Sequence, residues 1–190
     1  MRDGDRYFEM VRRASENVSK YIKKWSKRND DERWGEHEAT WKALLFHELI
    51  LSDDKVKDNL SMENTPITND RKTMGKRFDF WLKDSKNSID YVLEVKLIQH
   101  KERKKGYGIT TLNSKAGVYG DLLKMDRYIT SNQKPDLKGI SIAVNEEDDG
   151  VNVSKIIKKV DQKLVKLLDN DLRLLICSDG KCVYVPATED

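Results

Sequence analysis

The spacing of apolar residues changes along this chain from three or four residues to two. Segments 5–28 and about 32–51 carry apolar residues at the helical spacing. In 76–83 (KRFDFWLK), however, Phe78, Phe80 and Leu82 alternate with other residues, and 88–98 (SIDYVLEVKLI) is rich in β-branched residues. We expect Phe78, Phe80 and Leu82 to face the core. Two helices followed by such strands predict a mixed α/β fold.

The rest of the chain continues this mixture. Segment 52–75 is predicted to be a loop or a weak strand, and 101–108 a basic loop. We predict a helix over 115–130, a strand over 140–144, a loop over 146–150 and a helix to about 168. Segments 172–177 and 181–185 are predicted to form a hairpin that turns at Asp179-Gly180. A helix between two strands predicts a parallel crossover around 115–130.

Several protein classes are excluded by what the chain lacks. No apolar run approaches the roughly 18 residues of a membrane helix, and no apolar segment follows the charged N-terminus as in a secretory signal. We therefore expect a cytoplasmic protein with no membrane partner. Cys177 and Cys182 would face each other across the hairpin, so a disulfide is conceivable, but we expect both to be reduced.

The charge is unevenly distributed along the 190 residues. The net charge is +3, but residues 95–127 carry eight basic and three acidic residues, a net charge of +5. Residues 1–33 have a net charge of +3 and residues 136–190 a net charge of −3. Clustered Lys and Arg can hold a phosphate backbone. A merely solvated face is the alternative.

Two carboxylates are predicted to meet in the sheet. Glu94 and Lys96 lie two residues apart, so they share one face of their strand. Asp79, on the preceding strand, points away from the core by alternation and can lie near Glu94 if the strands are adjacent. Two converging carboxylates form a hard-oxygen site suited to Mg²⁺ or Mn²⁺, and a neighbouring Lys or metal offsets their repulsion.

Asp79, followed after fourteen residues by Glu94-Val95-Lys96, resembles the motif of the PD-(D/E)xK, or restriction-endonuclease-like, nuclease superfamily. The resemblance implies a restriction-endonuclease-like core: a central mixed β-sheet flanked by helices, spanning about 32–145. It implies a single domain, with an N-terminal helical addition at 1–30 and a C-terminal helix and hairpin at 146–190. One departure is Phe78, which precedes Asp79 where the family name has proline.

The resemblance also implies roles for individual residues. Asp79 and Glu94 would bind Mg²⁺, for which Mn²⁺ can substitute, together with the main-chain carbonyl of Val95. Lys96 would orient or help deprotonate the attacking water and steady the charge on the phosphate. The metal would polarise the phosphate and lower the pKa of the water. A helix glutamate often lies near the metal in this family; the candidates here are Glu38, which we prefer, and Glu48.

Residues near the motif are candidates for binding nucleic acid. The basic segment directly follows the catalytic strand, so phosphate contacts are expected there. A tyrosine between two glycines could contact a base or a sugar, and two lysines near the next helix could reach a phosphate. The candidates are Lys101, Arg103, Lys104, Lys105, Tyr107, Lys115 and Lys124.

The resemblance implies a metal-dependent DNA endonuclease of the restriction type, which hydrolyses phosphodiester bonds. Small members of this kind often act as homodimers, so we expect DNA and a second copy of the chain as partners. Two alternatives stay open: a structure-selective nuclease, such as a junction resolvase or repair nuclease, and a non-cleaving nucleic-acid-binding subunit with the same fold. The charges could also serve solubility alone.

Overall fold

The computed structural model describes residues 3–26, 38–64, 78–84, 89–98, 100–103, 106–109, 112–131, 136–145 and 152–186. Within these residues the helices are α1 (Asp3–Ser26), α2 (Glu38–Ser52), α3 (Asp54–Lys57), α4 (Val118–Ser131), α5 (Val153–Ile157) and α6 (Gln162–Val165). The strands are β1 (Leu60–Asn64), β2 (Phe78–Asp84), β3 (Ile89–Leu97), β4 (His100–Arg103), β5 (Gly106–Ile109), β6 (Leu137–Asn145), β7 (Leu172–Ser178) and β8 (Lys181–Tyr184).

Six of these strands form one open mixed sheet in the order β1-β2-β3-β6-β7-β8. The central strands β3, β6 and β7 are parallel, whereas β1, β2 and β8 pair antiparallel with their neighbours. The connection from β3 to β6 contains α4, so the predicted parallel crossover is confirmed. The α/β class predicted from the change in apolar spacing is confirmed as well.

One face of the sheet is covered by α1 and α2. The apolar stripe of α1 packs together with one side of α2 onto β2, β3 and the C-terminal hairpin, so the N-terminal helix is an integral part of this core. The buried residues contributed by the two helices are Tyr7, Phe8, Val11, Ala14, Val18, Ile22, Trp41, Leu45 and Leu49.

The opposite face of the sheet is covered by α4, α5 and α6, which form a second core. Because both faces are covered, apolar residues on either side of a strand are buried. Phe80 and Leu82 lie in the first core, but Phe78 lies in the second, where its ring centroid is 5.5 Å from that of Tyr128. The prediction that Phe78, Phe80 and Leu82 share one face was therefore wrong at Phe78.

Three other segments differ from the sequence-based prediction. Segment 101–108, predicted as a loop, contributes to the two-stranded hairpin of β4 and β5. The helix predicted to reach about 168 is divided into α5 and α6, because the chain is extended at Asp161, the residue that precedes α6. The described part of 52–75 forms α3 and the edge strand β1.

The C-terminal hairpin forms as predicted, with Asp179 and Gly180 at positive φ angles of 54° and 76°. Both angles are those of a tight two-residue turn. Cys177 and Cys182 are direct partners in this hairpin, 4.2 Å apart at Cα, and they form a disulfide. The expectation that both are reduced was wrong, because the strand register holds the two side chains against each other.

No helix in the described part of the chain is long and apolar enough to cross a membrane.

Candidate active site

Asp79 and Glu94 lie on adjacent antiparallel strands, as the sequence predicts. The pairing of β2 with β3 places Phe80 opposite Leu93, and Asp79 and Glu94 are the residues next to this pair on the two strands. The Asp79 carboxylate also accepts a hydrogen bond at Oδ2 from the main-chain N–H of Val95, at 2.8 Å. This bond fixes the Asp79 carboxylate against the strand that carries Glu94 and Lys96.

Lys42, on α2, connects the helix to the sheet through two carboxylates. Its Nζ lies 2.7 Å from Asp79 Oδ1 and 2.8 Å from Glu38 Oε1. Burial lowers the pKa of Lys42, but its hydrogen bonds to Asp79 and Glu38 outweigh burial, so this pKa lies above its usual value. Lys42 therefore stays positively charged between the two carboxylates.

Glu38, at the first position of α2, also contacts the motif lysine. Lys96 Nζ lies 3.4 Å from Glu38 Oε2, so each oxygen of this carboxylate faces an ammonium group. Burial raises the pKa of Glu38, but the hydrogen bond from Lys42 and the charges of Lys42 and Lys96 more than offset burial. The pKa of Glu38 consequently lies below its ordinary value.

Glu94 is the most deeply buried of these carboxylates and pairs with Lys124 of α4. The Glu94 side chain is 8% exposed and the Lys124 side chain 11% exposed. The Lys124 ammonium also lies 4.7 Å from the centre of the Phe78 ring. Both faces of the sheet thus contribute a lysine to the two strand carboxylates, since Lys42 comes from the α2 side and Lys124 from the α4 side.

Asp121 brings a fourth carboxylate to this place, one turn before Lys124 on α4. Burial raises the pKa of Asp121 to about 6, and the negative charges of Asp79 and Glu38 add to that rise, while Lys96 and Lys42 oppose it. The charges of the surrounding site therefore act on Asp121, although the structure shows no direct ion pair for it among the described contacts.

We call this group the acid–lysine cluster. It contains four carboxylates and three lysines, which come from α2, β2, β3 and α4 and carry one excess negative charge when all are ionised. Its members are Glu38, Lys42, Asp79, Glu94, Lys96, Asp121 and Lys124.

The carboxylate oxygens of the cluster are chemically suited to bind a hard divalent cation. Carboxylate oxygens are the ligands that Mg²⁺ and Mn²⁺ prefer, and the ammonium of Lys42 is itself a cation bound between two of them. Among the described residues, no three Asp, Glu, His or Cys side chains converge into a metal site as they stand. A divalent ion at Asp79 and Glu94 therefore requires Lys42 and Lys124 to move off these oxygens.

The two helix glutamates differ in where they lie. Glu38 contacts Lys96 and Lys42, whereas the Glu48 Oε2 accepts a hydrogen bond from Asn17 Nδ2 of α1 at 2.9 Å. Glu48 thus contacts the neighbouring helix, and Glu38 is the glutamate that α2 brings to the motif.

The candidate nucleic-acid-binding residues are only partly described. The backbone of Lys101, Arg103 and Tyr107 lies in the β4–β5 hairpin, but the side chains of these three residues are outside the described part of the structure. Residues 104 and 105, which are Lys104 and Lys105, lie outside the described residues altogether.

The two remaining candidates have different surroundings. Lys115 is exposed just before α4, as a residue that reaches a phosphate should be. Lys124 instead lies within the acid–lysine cluster, where it neutralises Glu94.

Sequence reasoning missed Lys42. Glu38 and Lys42 stand four residues apart, a spacing that predicts an ordinary ion pair on a helix surface. The contact that distinguishes Lys42 is the one to Asp79, which belongs to a distant strand. Residues four apart share one face of a helix, so a helix that turns Glu38 towards the sheet also turns Lys42 towards it. This spacing is the only sequence signal that could have predicted a role for Lys42.

Comparisons with protein-family models, with curated proteins and with solved structures find no match to this chain, so its function must be argued from the acid–lysine cluster.

Proposed function

We propose that this chain is a Mg²⁺-dependent deoxyribonuclease of the PD-(D/E)xK type, which hydrolyses phosphodiester bonds as restriction endonucleases do. The observation that carries the proposal is a chain of contacts: Asp79 accepts the Val95 N–H, Lys42 joins Asp79 to Glu38, and Glu38 contacts Lys96. Glu94 precedes Val95 on the same strand. The four residues come from three separate elements, α2, β2 and β3. Asp79, Glu94 and Lys96 belong to the sequence motif, and Glu38 is the preferred helix glutamate.

Asp79 and Glu94 would hold the ion, with the Val95 main-chain carbonyl as a further ligand. The ion, Mg²⁺ or Mn²⁺, supplies activation of a water molecule and polarisation of the scissile phosphodiester when it is bound. The N–H of Val95 holds Asp79 against the strand that carries Glu94, so the Asp79 carboxylate keeps its place when Lys42 and Lys124 move off to admit the ion.

Lys96 supplies the positive charge that faces the substrate. Its ammonium orients the attacking water and steadies the negative charge that builds on the phosphate. Glu38 positions Lys96 through the contact at 3.4 Å, and its lowered pKa keeps it ionised for this purpose at neutral pH. Lys124, once released from Glu94, lies close enough to the same carboxylates to contact a phosphate oxygen.

The proposed substrate is DNA, acted on by a homodimer. The basic segment 95–127 begins beside Glu94 and Lys96, which suits a phosphate backbone entering the site from this side. One site hydrolyses one strand, so two copies of the chain are needed to cut both strands of a duplex.

A second function is favoured by one specific observation. Asp79 and Glu94 already have lysine partners, Lys42 and Lys124, and a site that binds phosphate without cleaving it would have this arrangement. In that case the chain is a non-cleaving nucleic-acid-binding subunit with the same fold, and the lysines neutralise the carboxylates permanently.

A cleavage assay separates the two functions. Supercoiled plasmid, linear duplex and a four-way junction are each incubated with the wild type in Mg²⁺ or in EDTA. The proposal predicts Mg²⁺-dependent cleavage of the plasmid and the duplex, and discrete fragments indicate a restriction-type specificity. Cutting of the junction alone indicates a structure-selective nuclease, and the absence of cleavage from all three substrates in Mg²⁺ and in Mn²⁺ overturns the proposal.

Two variants on one helix test the assigned residues. Glu38→Gln should lower the cleavage rate about 10²-fold or more, because Lys96 loses the carboxylate that positions it. Glu48→Gln is the matched control, since it makes the same chemical change on α2 at a residue that contacts α1 instead. Equal rates for the two variants would remove Glu38 from the site.

A further inference from the structure

Lys42 of the acid–lysine cluster bridges two carboxylates from different elements. Its Nζ lies within 2.8 Å of an oxygen of Glu38 on α2 and within 2.7 Å of an oxygen of Asp79 on β2. The Lys42 side chain is 22% exposed, so water competes weakly for these contacts. The ammonium group therefore has the surroundings of a bound cation and not those of a surface charge.

The two oxygens of Asp79 have different partners. Oδ2 accepts the main-chain N–H of Val95, and losing that bond would weaken the contact between β2 and β3. Among the described residues, Oδ1 contacts only Lys42 Nζ, which is the end of a long side chain. Oδ1 is consequently the Asp79 oxygen that can exchange its partner without disturbing the sheet.

From these contacts we infer that the Lys42 ammonium competes with the divalent ion for Asp79 Oδ1. This inference rests on the proposed function. The ammonium holds Glu38 and Asp79 together in the free protein and must leave Asp79 Oδ1 before a divalent ion can bind there. Lys42 thus weakens binding of the ion to the protein alone.

The displaced ammonium group needs a new anionic partner, because a half-buried charge without one is costly. A phosphate of the DNA backbone at the same carboxylates provides it. The ion and the phosphate therefore assist each other through Lys42, and this coupling acts equally in both directions. Lys42 is in this sense a positioning residue that makes tight ion binding depend on the presence of substrate.

The test measures Mn²⁺ binding without DNA, from the electron paramagnetic resonance signal of the free ion. Lys42→Met removes the competing charge and should tighten Mn²⁺ binding about tenfold or more. Lys42→Arg keeps the charge and should bind Mn²⁺ much as the wild type does. Thermal unfolding of each variant shows whether it is folded, and Lys42→Gln replaces Lys42→Met if the latter is not.

The matched control is Lys20→Met. Lys20 forms an ion pair with Glu16 four residues earlier on α1, also at 2.8 Å, but far along the chain from the cluster and with its side chain 59% exposed. Mn²⁺ binding should be unchanged in this variant.

Plasmid cleavage gives a second readout. Lys42→Met should need less Mg²⁺ to reach its half-maximal cleavage rate, but its maximal rate should be lower than that of the wild type.

The outcomes separate this inference from the proposed function. If wild type and Lys42→Met bind Mn²⁺ equally, or if the variant binds more weakly, Lys42 is not a competitor and the nuclease proposal stands. If only Lys42→Met binds Mn²⁺, Lys42 is confirmed as a competitor, and the wild type is expected to bind Mn²⁺ once duplex DNA is added; no binding with DNA present refutes its metal-dependent function. If neither protein binds Mn²⁺ without DNA, Lys42 is not what excludes the ion and this inference fails, while the plasmid cleavage assay decides the proposed function.

Discussion

Replacement of Lys124 by methionine is the sharpest test of how the buried part of the cluster is held together. Lys124 and Glu94 form an ion pair in which neither side chain is more than 11% exposed. Methionine has nearly the length of lysine and a thioether that packs well against aromatic rings, but it removes the ammonium and with it the cation–π contact to the Phe78 ring. The substitution therefore isolates the charge and leaves the packing largely intact.

The expected loss follows from this burial. An exposed ion pair contributes at most about 1 kcal/mol, whereas removing one partner of a buried pair costs about 3–5 kcal/mol because the other charge is left without a partner. Since Glu94 gains some relief from nearby Lys96 on the same strand face, we expect the lower value, about 3 kcal/mol. For a protein of this length that corresponds to a fall of about 6–12 °C in Tm.

The assay is urea unfolding of Lys124→Met, with Lys20→Met as the control for an exposed pair. The control should lose about 0.5 kcal/mol or less in the free energy of unfolding. The double variant Glu94→Leu, Lys124→Met should recover most of the loss, because it leaves no unpaired charge. A loss below about 1 kcal/mol in Lys124→Met, or no recovery in the double variant, would refute the argument that the pair is buried and mutually dependent.

Three further predictions concern stability. Because the folded pKa of Asp121, about 6, lies above the ordinary value of 3.8 for an aspartate, the folded state binds the extra proton, and the free energy of unfolding should fall as the pH rises from about 4 to 6. The free energy of unfolding is measured by urea titration at each pH. Asp121→Asn should lessen its fall over this pH range, by less than about 3 kcal/mol. Replacing Cys177 and Cys182 together by alanine should lower the free energy of unfolding by about 2 kcal/mol, and dithiothreitol should destabilise the wild type equally but not the double variant. Gly180→Ala should cost about 1–2 kcal/mol in thermal unfolding, since φ is +76° and the new Cβ would lie 3.3 Å from Lys20 Cγ; an unchanged Tm would contradict the turn geometry.

The sequence predicted the parts of the fold that depend on local apolar spacing. The strand pair around Asp79 and Glu94 and the C-terminal hairpin follow from patterns within about 20 residues, and the crossover through α4 follows from the order strand, helix, strand. The β4–β5 hairpin was missed because 101–108 is basic and rich in glycine and has no apolar alternation to mark its strands. Phe78 lies in the other core from Phe80 and Leu82, so strict alternation does not hold at this end of β2, and the local apolar pattern does not mark the change of face.

The same distinction between local sequence pattern and long-range packing applies to the candidate site. Asp79, Glu94 and Lys96 were found because they interrupt an apolar strand pattern, where a charge has no packing role. Lys42 and the burial of Lys124 depend on how α2 and α4 pack against the sheet, which no local pattern specifies. The disulfide was missed for another reason: its expectation was drawn from cellular compartment, while the pairing is decided by the strand register.

The conversion of supercoiled plasmid to nicked or linear DNA tests the central claim most directly. Wild type and Asp79→Asn are compared side by side in Mg²⁺ and in EDTA; asparagine retains an oxygen that can accept the Val95 N–H, so the strand contact is kept. The account predicts that the wild type converts the plasmid in Mg²⁺ but not in EDTA. The conversion rate of the variant in Mg²⁺ should be lower by about 10²-fold or more. Conversion that persists in EDTA, or that is equally fast in Asp79→Asn, would contradict it.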